Sequence, residues 1–315
     1  MSIATTALDL PASQAVRAEA RTLLDAARTA LARLDDPRDA EALHDGRVAL
    51  RRLRSWIRAF ELELPRPVAR RLRKLARATS DARDLEAAVE RLEALADASG
   101  GRRRAALTAL ARELARQRNL GREPLRQDVT RRWAVLEVEL VRALAATPGS
   151  IAPRFGSALA AQLAAVSAPF AAIAPAPSDW PALHRLRIAA KRLRYLLEPL
   201  REALPDAQRM LQEIKALQEH LGAVNDAVVL EQLLAEHAAG AAYRAVADRR
   251  RLATANRAIA RCAAAAERVR EWRGRLVRRH SRAVAARLPR LRDECAALVS
   301  ALRLRRVAPT AQGAA

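Results

Sequence analysis

The sequence predicts an all-α protein, and three observations lead there. Ala, Leu and Arg dominate a chain of 315 residues that holds only 10 Gly and 15 Pro, and these three are strong helix formers. Aromatic residues make up 3% of the chain, so the side chains that sheets favour are scarce. No stretch alternates apolar and polar residues as a half-buried strand would. Hydrophobic residues make up 51% of the chain, enough at this length to build a core, which excludes a disordered polymer.

Helix boundaries follow from local chemistry. Asp36-Pro37 predicts a helix start, a capping carboxylate followed by Pro at the first helical position, and Ser178-Asp179 plays the same part later. Pro65 and Pro67 are expected to end the helix that begins near Leu43, and Pro205 to end its counterpart beyond an irregularity at Pro199. Ser99-Gly100-Gly101 and Gly240 mark turns. The longest uncharged stretch, Phe155 to Ser178, could span a bilayer by count. It is mostly Ala, carries Ser157, Gln162 and Ser167, and is broken by Pro169, Pro175 and Pro177. A bundle helix running into a linker is expected there, and no transmembrane segment. Met1 to Leu10 has no basic residue and is interrupted by Asp9, so a signal peptide is not expected and the cytoplasm is. Cys262 and Cys295 are too few and too distant for a disulfide framework or a thiolate metal cluster, and read as reduced core residues.

The chain contains an internal similarity. Leu43-His44-Asp45-Gly46-Arg47-Val48-Ala49-Leu50-Arg51-Arg52-Leu53-Arg54 aligns without a gap with Leu183-His184-Arg185-Leu186-Arg187-Ile188-Ala189-Ala190-Lys191-Arg192-Leu193-Arg194. Further on, Leu72-Arg73 and Leu75 align with Ile214-Lys215 and Leu217, and Arg83-Asp84 with Asn225-Asp226. The expected organisation is a duplication, residues 8–148 and 150–306, broken at Thr147-Pro148-Gly149-Ser150 and forming two helical bundles about a pseudo-twofold axis.

Charge narrows the partner. Lys and Arg number 57 against 35 Asp and Glu, a formal net charge of +22, and only Lys74, Lys191 and Lys215 are lysines. Such a surplus repels itself and is best offset by a polyanion: nucleic acid, an anionic membrane surface or a phosphate polymer. On a helix of 3.6 residues per turn, His44, Arg47, Arg51, Arg54 and Arg58 form one stripe beside an apolar stripe of Leu50, Leu53, Ile57 and Phe60. In the repeat His184, Arg187, Lys191 and Arg194 form the cationic stripe beside Leu186, Leu193, Leu197 and Leu200, with Glu198 in place of Arg58. Arg66, Arg70, Arg73, Lys74 and Arg77 extend the first half's charge on the next helix, with Lys215 as the counterpart of Arg73. Between His184 and Tyr195 there is no acid. Like charges one turn apart repel, a broken local rule that points to a ligand.

These segments, with Ala82-Arg83-Asp84-Leu85 and Leu217-Gln218-Glu219-His220-Leu221-Gly222-Ala223-Val224-Asn225-Asp226-Ala227, resemble the CHAD family, the histidine α-helical domain, over essentially the whole chain. The resemblance implies paired helical bundles whose basic residues line a central groove or pore, binding inorganic polyphosphate, often at polyphosphate granules. The residues that would bind it are His44, Arg47, Arg51, Arg52, Arg54, Arg58, Arg70, Arg73, Lys74, Arg77, His184, Arg187, Lys191, Arg192, Arg194, Tyr195 and Lys215.

The residues agree with that ligand. Arginine forks pair bidentately with phosphate oxygens and stay charged, and stripes rising about 5 Å per turn suit an extended polymer. His44 and His184 read as phosphate donors, as metal ligands or as satisfied core residues. The first is preferred because each lies on a cationic stripe, and affinity should then fall as pH rises through neutrality. Asp84 and Asp226 read as helix caps or as orienters of arginines, and Tyr195 as a phosphate donor or a packing residue. No cofactor, metal or catalytic group is expected: no phosphate-cradling Gly-Lys loop occurs and no carboxylate cluster at metal-binding spacing adjoins the stripes. Nucleic acid is the competing partner on charge alone, although the aromatics are not spaced as a stacking platform.

Overall fold

In the computed structural model the chain is described over residues 8–36, 38–39, 41–146, 154–172, 180–247 and 252–304. These hold α1 (Ala12–Ala32), α2 (Ala42–Ala59), α3 (Arg66–Asp97), α4 (Gly101–Ala146), α5 (Phe155–Ala172), α6 (Trp180–Leu197), α7 (Pro205–Ala247) and α8 (Leu252–Leu304), with single 3-10 turns at Arg33–Asp35 and Glu198–Leu200. No strand occurs among the described residues, and the fold is all-α. The break at 147–150, the helix start at Ser178-Asp179 and most of Met1 to Leu10 lie outside the described residues, as do Pro37, Pro175 and Pro177.

The helices bury the stripes that helical spacing marked out. Leu50, Leu53, Ile57 and Phe60 of the first motif are buried, and so are Leu186, Leu193, Leu197 and Leu200 of the second. They meet in one core to which every helix contributes. Trp56 fixes α2 in it: the indole N–H donates to the Val16 carbonyl of α1 at 2.9 Å, and its ring lies 4.5 Å from Phe60 and 6.1 Å from Phe155 of α5. A second core joins the distal parts of the long hairpins, with Val89 and Leu92 of α3, Leu107 and Leu114 of α4, Leu230 and Leu234 of α7, and Cys262 and Val269 of α8. Both cysteines are free and buried. Helix α5 is apolar and long enough to cross a membrane by composition (mean hydropathy 1.4), and it buries Phe155, Leu159, Leu163 and Phe170 in the main core.

Several boundaries differ from the sequence reading, each for a local reason. Asp39, not Asp36, serves the start of α2: its Oδ1 accepts the backbone N–H groups of Glu41 and Ala42 at 3.0 Å, while the N-cap residue Glu41 makes no side-chain cap bond. Asp36 instead accepts from the N–H of Arg38. Helix α2 stops at Ala59, where Glu61 turns left-handed (φ 49°), and Pro65 and Pro67 open α3 rather than close α2. Pro205 likewise opens α7, while Pro199 sits in the 3-10 turn that follows α6. Gly240 lies inside α7 and Pro169 inside α5, so neither breaks its helix. Gly46 has a structural purpose: a Cβ there would lie 2.3 Å from the Leu31 side chain, so the glycine lets α2 cross α1 closely.

Candidate functional site

Helices α2 and α6, which carry the two histidine motifs, pack against each other. The acid-poor runs on both helices bring their cations together, with Asp84 of α3 and Asp226 of α7 as counter-charges in electrostatic range. Arg47 and Arg51 of α2 lie within electrostatic range of Lys191 on α6, and Arg51 also of Arg187. Tyr195 forms the pivot: it is buried, 5% exposed, with the Arg51 guanidinium 5.5 Å and the Arg194 guanidinium 5.1 Å from its ring centre. Cation–π attraction holds both forks in place.

Burial tests each cation. Burial, with help from Arg51 and Arg83, holds the Arg47 guanidinium below its ordinary pKa. The same cause lowers Arg187, and lowers Arg54 with Arg58 and Arg73 nearby. Lys191 is shifted furthest: burial, then Arg187, Arg51, Arg47 and Arg194, bring its amine down to about 7. Buried donors here have no partner: Nε of Arg47 and of Arg51, the Tyr195 hydroxyl and Nε2 of Gln218. Unpaired buried polar groups are costly, and these four lie among the cations of α2 and α6.

Alongside lies a concavity of about 460 Å³. Arg51, Arg54, Arg58, Arg73, Arg192 and Tyr195 line it around an apolar floor of Trp56, Leu72 and Val166. A second cavity, of about 840 Å³ between α2, α3 and α4, holds His44, Arg47, Arg83, Arg118, Arg122 and Arg126 together with Asp39, Glu41, Asp81, Glu86 and Glu90. The stripe on α2 therefore divides. Arg51, Arg54 and Arg58 line the cationic concavity, and His44 and Arg47 line the mixed-charge one.

The remaining residues fall outside the cluster or are already paired. The Arg52 Nε donates to Glu198 at 2.7 Å, and Glu198 also pairs with Arg194 at 3.1 Å. Arg194 further donates to Gln218 at 2.7 Å. Arg77 pairs with Asp81 at 3.8 Å. Arg70, Lys74 and Lys215 are exposed and line neither cavity. His184 packs against Trp180, ring centres 5.0 Å apart, with Nδ1 unpartnered and a pKa lowered by burial, Arg187 and Lys191. Asp84 and Asp226 sit in mid-helix and cap nothing; Asp226 pairs with Arg91 at 3.0 Å and acts electrostatically on Arg187. Sequence reasoning missed Gln218 and Arg83, which reach the cluster from α7 and α3 and carry no signal in the stripe pattern.

Fold and site define a class first: an all-helical domain in which two histidine-bearing helices pack together and gather guanidinium groups beside one concavity. The CHAD domain family model matches residues 14–235, from α1 into α7, and the chain belongs to the CHAD domain family. The crystal structure of the CHAD domain from the plant Ricinus communis is similar over 94% of each chain, at 24% identity and a TM-score of 0.65, a likeness of fold. No curated protein matches the chain.

Proposed function

We propose that the protein binds inorganic polyphosphate through the α2–α6 cation cluster and its concavity, without turning the polymer over. The observation that supports this most is the set of unpaired buried donors on Arg47, Arg51 and Tyr195, converging among Arg187, Lys191 and Arg194. A phosphate chain supplies several acceptor oxygens per unit and a negative charge at each, which satisfies the donors and offsets the repulsion together. Nucleic acid supplies phosphates too, but single strands usually add stacking of bases on aromatic faces. The aromatic ring at this cluster, Tyr195, is buried beneath two guanidiniums. The same reading places the protein in the cytoplasm, associated with polyphosphate granules.

Competition at one fixed salt concentration tests this. Long-chain polyphosphate is expected to displace bound DNA, with affinity falling steeply as salt rises through counterion release. DNA that displaces polyphosphate would favour the nucleic-acid reading, and orthophosphate released in the presence of divalent metal would overturn the non-catalytic one.

A further inference from the structure

We propose that His220 of α7 and His280 of α8 form a binding site for a divalent transition-metal cation of the copper, nickel or zinc class, held between the two helices by both Nδ1 atoms. The observation that carries it is the approach of these two nitrogens to 3.0 Å between partly buried rings. Neither histidine lines the cationic concavity or the mixed-charge cavity, and the site stands independently of the polyanion reading.

The geometry is that of two ligands on one ion. Imidazole nitrogens bound to a metal at about 2.0–2.1 Å, at an angle between square and tetrahedral, stand about 2.9–3.4 Å apart, with ring centres about 4.5–5.2 Å apart. Here the nitrogens are 3.0 Å apart and the ring centres 5.0 Å. Long helices packed along each other hold the pair, so little rearrangement is needed to admit an ion. Without one, a single proton shared between the nitrogens joins the rings; with one, both Nδ1 atoms offer lone pairs and the protons sit on Nε2.

The surroundings fit neutral rings. Burial lowers the pKa of both, with Arg287 and Arg279 acting on His220, and His220 and Arg279 on His280. Glu219 favours positive charge at His220, and the Arg287 guanidinium is engaged by Glu213 at 2.7 Å. No group of three His, Cys, Asp or Glu able to hold a metal occurs among the described residues, so water fills the remaining positions. The pair was invisible to sequence spacing because its members stand 60 residues apart. His280 also lies beyond residues 14–235, the stretch that the family model matches.

Zinc chloride is titrated calorimetrically into the full chain at mildly alkaline pH, in a buffer that does not chelate metals. A single tight ion per chain is expected, and the unfolding midpoint should rise by several degrees in excess zinc, because the ion binds the folded pair and not the separated histidines. His220→Gln and His280→Gln should each weaken zinc binding at least about tenfold, while His237→Gln, elsewhere on α7, leaves it unchanged. Circular dichroism checks that the variants are folded. Electron paramagnetic resonance of the parent loaded with copper(II) reads the ligands without any substitution, and two imidazole nitrogens are expected. A parent that takes up no zinc, a copper signal with fewer than two imidazole nitrogens, or full affinity in a folded double variant overturns the site.

Discussion

Replacing Lys191 by Met removes a charge that the folded protein holds at a cost. The amine drops from an ordinary value of about 10.5 to about 7, chiefly through burial and then through Arg187, Arg51, Arg47 and Arg194. Each tenfold change in a protonation equilibrium is about 1.4 kcal/mol, so the whole difference corresponds to about 4–5 kcal/mol. Partial exposure and side-chain relaxation bring the recoverable part to about 1–3 kcal/mol. Between pH 7 and 10 the unfolded chain keeps this proton and the folded protein has released it. Stability therefore rises with pH across that window, with the penalty complete below pH 7 and absent above about pH 10. Lys191→Met should exceed the parent by about 1–3 kcal/mol at pH 6 in urea unfolding and converge on it near pH 10. Glu19, buried in α1 with its pKa raised by burial to about 7, titrates in both proteins and cancels in the difference. A variant that is less stable at pH 6, or a gain that does not change with pH, refutes the reasoning.

Further predictions follow from single contacts. Tyr195→Phe deletes an unpartnered buried hydroxyl; the unfolding midpoint should stay level or rise, while polyphosphate affinity falls about threefold to tenfold in calorimetry through loss of one charge-assisted bond. Glu198→Gln frees Arg52 and Arg194 from ion pairs of 2.7 and 3.1 Å. Affinity should rise about twofold to fivefold and stability fall by less than about 1 kcal/mol. Gly46→Val drives a side chain into Leu31 at the α1–α2 crossing and should lower stability by about 1–3 kcal/mol, read by thermal unfolding.

The fold was legible where burial and periodicity speak together. An apolar stripe such as Leu50, Leu53, Ile57 and Phe60 has one face to bury, and that face is inside. Prolines were misread because their ring geometry marks a boundary without saying on which side the helix lies: Pro65, Pro67 and Pro205 start helices. Gly240 is tolerated in a long helix whose neighbours outweigh its entropy. Of the site, the cationic stripes could be read from spacing, because i,i+4 neighbours are fixed by the helix itself. Partners from other helices could not: Glu198 on Arg52, Gln218 on Arg194 and Arg83 beside Arg47 depend on how the helices pack. The same packing gives Lys191 the largest shift in the cluster, down to about 7, so the expected pH dependence of binding includes this amine. Bound polyanion stabilises the protonated amine, so affinity should decline as pH rises above about 7.

The most direct measurement is the affinity for long-chain polyphosphate of a protein in which Arg51, Arg54, Lys191 and Arg194 are all replaced by Ala, compared with the parent at one salt concentration. Circular dichroism and thermal unfolding confirm that the variant is folded. Binding should disappear while helix content and stability are kept or improved, since repulsion among these cations is relieved. A folded variant that binds polyphosphate as tightly as the parent would show that the polymer lies elsewhere.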